Sequence, residues 1–268
     1  MRLYALAVYA FLYLPIGIIA LFSFSAGRNA SQMQGFSTQW YGRALSNPFV
    51  IDALKTSAGI ALTSAVLASV FGTLAALALS GMKGRWRALF DALIYIAVMI
   101  PGIVIGIATL IALVTVFNAL NPWLAAATGW QLSMGAGSLV AAHGLFTMSL
   151  VIILVRARIE GMDRALIEAS SDLGAGPLAT FRQVTLPLLA PAILAGFLLS
   201  FTFSFDDFII AFFVAGSETT LPIYIFSSIR RGVTPEINAI GTMVMAASLL
   251  MLVIAQLTLR RGGTPKDQ

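Results

Sequence analysis

Six runs of mostly apolar residues, at 3–24, 56–80, 89–117, 138–155, 188–214 and 240–259, constrain this chain more than any other feature. An α-helix rises about 1.5 Å per residue, so about 20 apolar residues cross the ~30 Å hydrocarbon core of a bilayer. All six runs are near that length, and the third and fifth are long enough to tilt or to begin at the interface. Strands of a membrane barrel would be shorter and would alternate in polarity. Composition closes the other routes. Of 268 residues, 59% are hydrophobic and 10% are charged, against about 25% charged in a soluble domain. Mean hydropathy is +0.93. Collagen, coiled coil and disorder fail for want of a G-X-Y repeat, sustained heptads or a shortage of apolar residues. The expected fold is an all-α membrane protein with six transmembrane helices.

Six spans place both termini on one side. That side carries Arg2, Lys83, Arg85, Arg87, Arg156, Arg158, Arg164, Arg182, Arg260, Arg261 and Lys266, and the other carries Arg28, Arg43, Lys55, Arg230 and Arg231. The positive-inside bias assigns both termini to the cytoplasm. The same sorting accounts for the net charge of +5 without a nucleic-acid partner. The first run exceeds a usual signal-peptide core, and only Arg2 is basic before it, so it reads as a start-transfer anchor. Trp40, Tyr41, Trp123 and Trp130 fall near expected outer interfaces, and Trp86 near an inner one. The longest segments outside the spans are 25–55 and 156–187. The whole chain, 1–268, reads as a single transmembrane domain.

Chemistry of the enzymatic kind is scarce. There is no cysteine and one histidine, His143, which excludes Cys zinc sites, thiol nucleophiles and multi-His metal centres. No G-x-x-x-x-G-K-[ST] loop is present, so the chain lacks the usual cradle for ATP phosphates. His143, within the fourth run, suits a hydrogen bond between helices or a place on a pathway. Ala61, Ala65, Ala68, Ser69 and Gly72 make a small-residue face on the second run, and Gly102 and Gly106 follow Pro101 in the third. Such faces admit close helix packing, and Pro101 is placed to kink its helix.

The inner segment 156–187 is the most patterned. Residues 163–173 read as a short helix that Gly174 ends, since glycine accepts the left-handed conformation there. Pro177 suits the first turn of a second short helix, to about 183. Ala165, Leu166, Ala169 and Leu173 share one face. Either lipid headgroups or a groove on a partner would cover such a stripe.

At this point a resemblance emerges. Glu168-Ala169-Ser170, then Gly174, Phe181, Val184, Leu186 and Pro187, resemble the EAA loop of ABC-transporter permeases. Ser170 stands where alanine is usual and Val184 where isoleucine is usual. The resemblance implies a type I ABC permease with its coupling loop at about 158–187. In that family the loop docks on the cytoplasmic ATPase, here through Arg164, Ala165, Glu168, Ala169, Ser170, Asp172, Leu173 and Gly174.

Asp206 and Asp207 are adjacent carboxylates within the fifth run, about 20 residues or ~30 Å from its inner end. A charge at mid-bilayer costs roughly 2.5–3.5 kcal/mol on insertion scales, so both must meet protein or water. They project about 100° apart on a helix. They serve either as caps or ion-pair partners, for example of Arg230 or Arg231, or as part of a cation pathway. The surrounding stretch from Ser200 to Phe208, then Thr220-Leu221-Pro222, Ser227-Ser228-Ile229-Arg230 and Gly232 to Ala239, resembles the spermidine/putrescine permeases, as does Trp40-Tyr41 before Asn47. That resemblance implies a pathway for cationic amines lined by Asp206, Asp207, Phe205 and Phe208, whose ring faces attract cations. It further implies a homologous permease as heterodimer partner, two ABC ATPase subunits that bind ATP and magnesium, and an extracytoplasmic binding protein. No cofactor is expected on this chain. Two alternatives stand: an importer of another cationic or zwitterionic amine, and an ATP-independent cation transporter built on Asp206 and Asp207.

Overall fold

The computed structural model describes residues 2–29 and 32–262, and side chains for residues 4–29 and 32–250. The side chains of Arg2, Arg260, Arg261 and Lys266, used above for orientation, lie outside that set. Helices follow one another as α1 (Arg2–Phe22), α2 (Gln39–Ser46), α3 (Pro48–Gly81), α4 (Arg85–Met99), α5 (Gly102–Thr128), α6 (Ala136–Glu160), α7 (Ala165–Asp172), α8 (Pro177–Thr180), α9 (Leu186–Asp206), α10 (Ile209–Val214), α11 (Leu221–Arg231) and α12 (Pro235–Gly262). A π-helical turn, Phe181–Thr185, joins α8 to α9. Extended pairing among the described residues is limited to one antiparallel bridge, Ser25 with Phe36.

Five stretches among the described residues are long and apolar enough to cross a membrane: Tyr4–Phe22, Pro48–Gly81, Gly102–Thr128, Ala136–Glu160 and Pro177–Asp206. Pro235–Leu250, within α12, is a shorter apolar helix that overlaps the sixth expected run. Two of the expected spans need correction. The run 89–117 is not one helix. Proline cannot donate a backbone hydrogen bond and pushes its predecessor out of the helical region. Ile100 accordingly adopts φ −68°, ψ 136° and Pro101 φ −54°, ψ 134°, so α4 ends and α5 starts anew. The crossing moves to Gly102–Thr128, and the expected kink is a full break. The run 188–214 likewise stops at Asp206, where Asp207 turns extended (φ −72°, ψ 118°), and α10 follows as a separate short helix.

The chain packs as two units. One comprises residues up to Leu54 together with those from Leu221 onward. In it Trp40 is 5% exposed and donates its Nε1–H to the Ser25 carbonyl at 2.8 Å. Trp40 is therefore a buried pin rather than an interfacial anchor. The Tyr41 hydroxyl lies 2.6 Å from Ser23 Oγ, and Phe24 stacks on Phe36. Asn47 caps α3, its Oδ1 accepting the Phe49 N–H at 3.1 Å, with Pro48 at the first helical position. Its Nδ2 donates to Glu236 Oε1 at 3.0 Å and Tyr224 Oη at 3.3 Å.

The second unit, Lys55–Thr220, holds the core formed by Ala76, Leu79, Ile94, Val151, Val155 and Leu189. Helix association in lipid depends on close packing, because the tails are as apolar as the side chains. Gly72 of α3 shows how close that is: a Cβ there would lie 2.8 Å from Val151 Cβ. Val151 also meets α9: a Cβ on Gly196 would lie 3.3 Å from both its γ carbons. Ala61, Ala65 and Ala68 on the same helix as Gly72 are at most 1% exposed, so the small-residue face expected there is a packing face. Gly106 of α5 does the same against α10, where a Cβ would sit 2.7 Å from the Phe213 ring.

Candidate functional site

Two regions of the second unit carry the residues singled out from the sequence. The first surrounds α7. Asp163 Oδ1 accepts the Ala165 N–H at 2.9 Å, which satisfies a backbone donor of the first turn. Glu168 lies in that turn, favourably for the helix dipole. The helix closes as the glycine implies. Gly174 has φ +79°, its N–H reaches the Ser171 carbonyl at 2.9 Å, and the Ala175 N–H reaches the Ser170 carbonyl at 3.1 Å. That pair of bonds is a Schellman cap. Ser170, the departure from alanine, places its hydroxyl 3.0 Å from Thr180 Oγ1 and so ties α7 to α8. The apolar stripe of Ala165, Leu166, Ala169 and Leu173 is exposed, with Leu173 at 88%. Arg164, Glu168 and Asp172 are exposed beside it. Nothing in this unit covers the stripe, although the helix itself is capped at both ends.

Between α4 and α6 stands a charged cluster that reading the sequence missed. Arg156 of α6 pairs with Asp91 of α4, and Arg87 lies 3.7 Å from the same carboxylate. Glu160 Oε1 is 3.5 Å from Arg87 and 3.9 Å from Arg156. Both helices carry an i,i+4 Arg-acid pair, a signal visible in the sequence. What the sequence does not display is that the two pairs face each other. Arg158 adds a tie to α9, its Nε–H donating to the Leu188 carbonyl at 3.0 Å.

The second region is the break between α9 and α10. Helices α6 and α9 run antiparallel along a seam with partners every four residues. His143 Nδ1 lies 2.7 Å from Ser204 Oγ, the Ser200 hydroxyl donates to the Thr147 carbonyl at 3.5 Å, and Val151 meets Gly196. His143 is 2% exposed. This is the interhelical hydrogen bond anticipated for it. Asp207 and Asp206 part company here. Asp207 Oδ2 accepts the Ala211 N–H at 3.0 Å, holding the start of α10, and stands 3.4 Å from His143 Nε2. Asp206 is exposed, and among the described residues its carboxylate has neither a hydrogen bond nor an ion pair. Phe205 stacks on Phe201 at 5.9 Å before the break, and Phe208 tilts against Phe212 at 5.5 Å after it. The four residues proposed for a pathway are thus gathered at one backbone discontinuity. Among the described residues, no cluster of three or more His, Asp or Glu side chains could hold a metal.

An all-helical chain with a capped, uncovered helix outside its spans, and carboxylates at a break inside them, has the form of a transport permease. The family profile of binding-protein-dependent transport system inner membrane components matches residues 68–260. This chain belongs to that family, whose members are multi-pass inner-membrane permease subunits rather than enzymes. It is 38% identical over 255 residues to the spermidine/putrescine transport system permease protein PotC of Haemophilus influenzae, covering 95% of this chain and 94% of the relative. It is also 38% identical over 242 residues to the putrescine transport system permease protein PotI of Escherichia coli strain K12, covering 89% and 83%. A chain of the bacterial ABC transporter that imports the acidic polysaccharide alginate superposes with a TM-score of 0.74 at 16% identity, covering 98% of this chain and 96% of that one. The fold is that of the type I ABC permeases.

Proposed function

We propose that this chain is one of two homologous permeases of an ATP-driven polyamine importer. It forms half of a path for spermidine or putrescine, with both termini in the cytoplasm and residues 1–268 acting as one permease domain. A polyamine carries about one positive charge per aliphatic amine at neutral pH. The observation that carries the reading is the break after α9, where Asp206 and Asp207 lie between two phenylalanine pairs. Carboxylates and ring faces together suit an elongated aliphatic cation. Relatives named for spermidine and putrescine support the same cargo.

Energy enters elsewhere. Two ATPase subunits would hold ATP and magnesium and receive α7 in a groove, through Arg164, Ala165, Glu168, Ala169, Ser170, Asp172, Leu173 and Gly174. The uncovered stripe on α7 supports this role, and it argues against an ATP-independent cation transporter, which needs no docking helix. A binding protein on the outer side would deliver the amine. Closure of the ATPase pair around ATP would tilt the spans, open the path outward, and release cargo inward after hydrolysis.

The test is ATP hydrolysis by the complete transporter in lipid, with its binding protein, titrated with spermidine, putrescine, and neutral and acidic solutes. Stimulation by polyamines alone is expected. Stimulation by an acidic or neutral solute instead would overturn the cargo.

A further inference from the structure

The two adjacent carboxylates have different surroundings, and the difference originates on another helix. His143 is clamped. Its ring is buried against α9, Thr147 Oγ1 bonds its carbonyl at 2.8 Å, and Ser204 engages Nδ1 at 2.7 Å. With Nδ1 taken, the ring cannot swing, and Nε2 is left as a buried polar atom without a hydrogen bond. The polar atom it faces is Asp207 Oδ2, at 3.4 Å. One neutral tautomer serves both neighbours: Nε2–H directed at the carboxylate, and Nδ1 accepting the Ser204 hydroxyl.

Asp207 is therefore occupied from two directions, by the ring from α6 and by the Ala211 N–H from α10. Its side chain retains 23% exposure, whereas Asp206 is exposed without a polar partner among the described residues. An unpaired carboxylate in a membrane span is stable only against water, a protein partner or a cation. We propose that His143 is a positioning residue that holds Asp207 on the α6 side of the break, so that Asp206 alone of the pair is presented to a cationic cargo. This rests on the reading of the break as part of the pathway. Asp207 then acts through shape: it fixes where α10 begins and, with it, where Phe208 stands relative to Phe205.

The experiment uses the complete transporter, with its binding protein, in proteoliposomes, with spermidine and putrescine as cargo. The variants are Asp206→Asn, Asp207→Asn, His143→Asn and His143→Gln. A glutamine amide nitrogen reaches the place of Nε2, whereas asparagine reaches only that of Nδ1. The chain has no cysteine, so Ile209→Cys, at a position 44% exposed at the start of α10, reports packing of the break by its maleimide labelling rate. Asp206→Asn is expected to raise KM about tenfold. Asp207→Asn and His143→Asn are expected to lower kcat about tenfold with KM within about twofold, and to speed labelling at position 209 several-fold. His143→Gln restores both. A KM effect of Asp207→Asn matching that of Asp206→Asn would overturn the division of labour. Unchanged labelling in His143→Asn, or failure of His143→Gln to restore it, would overturn the role of His143. Labelling needs no cargo, so an absence of polyamine uptake overturns the cargo while the pin is still judged.

Discussion

Arg156 and Asp91, 65 residues apart in sequence, form an ion pair that fastens α6 to α4 immediately before the chain leaves α6 for α7. Arg156 is the better buried of the two, with 14% of its side chain exposed against 27% for Asp91. Removing one member of a partly buried pair leaves the other short of a partner, and that loss outweighs what the pair contributes net. Arg156→Ala is expected to destabilise the permease by about 1–2 kcal/mol. Glu160 has 64% side-chain exposure, and Glu160→Gln should cost less than about 0.5 kcal/mol. Thermal unfolding of the purified complex, followed by intrinsic fluorescence, separates the two. Equal losses would show that the cluster does not rest on Asp91.

Gly72 and Gly196 offer a graded packing test on a single side chain. An added Cβ at Gly72 meets Val151 Cβ at 2.8 Å and the Met148 carbonyl oxygen at 3.2 Å, while at Gly196 the nearest contacts are 3.3 Å. Gly72→Ala should lower stability by about 1–3 kcal/mol, and Gly196→Ala by less than about 1 kcal/mol. Adding Val151→Gly to Gly72→Ala should recover part of the loss, because it removes the Cβ and Cγ1 that the added methyl meets at 2.8 and 2.9 Å. Additive losses in the double variant would refute that geometry.

For α7, Leu173 and Gly174 distinguish docking from helix formation. Leu173 is 88% exposed, so Leu173→Asp should leave the melting temperature of the permease unchanged and reduce co-purified ATPase about tenfold. Gly174→Ala forces a methyl group into φ +79°, a strain of about 1 kcal/mol, and should reduce retained ATPase less. Full retention of the ATPase by Leu173→Asp would move the docking surface elsewhere.

Phe205 tests the ring faces apart from packing. Phe205→Leu keeps an apolar side chain against Phe201 and removes the π surface. It should weaken the half-saturating spermidine concentration for ATPase stimulation by about three- to tenfold. The effect should be smaller for putrescine, which carries fewer charges. Equal affinity in the variant would confine Phe205 to its stack with Phe201.

Punctuation by single residues was the most legible part of this fold. Gly174 ends α7 because few other residues accept its conformation, and Pro177 starts α8 because its φ is already helical. Pro101 was legible as a perturbation but not in degree. Apolar counting runs straight through Ile100, and only the dihedral angles reveal two helices. Trp40 looks like an interfacial anchor by composition, yet a bond to the Ser25 carbonyl buries it. The meeting of His143 with Asp207, and of Arg156 with Asp91, depends on the rotation of one helix against another. No local pattern encodes that rotation, so the residues could be nominated while their pairings could not.

The four-residue spacing along α6 and α9 sets what kind of motion these helices can share. Sliding one past the other would break the His143–Ser204 bond, the Ser200–Thr147 bond and the Val151–Gly196 contact together. The next matching register lies about 6 Å away, four residues at ~1.5 Å each, and it would set unlike side chains opposite one another. Intermediate offsets satisfy none of the three. The two helices are therefore geared rather than lubricated, a single plank, and the freedom to bend is left to the chain breaks at Pro101 and Asp207, which lie side by side: a Cβ on Gly102 would fall 3.8 Å from that of Ile209.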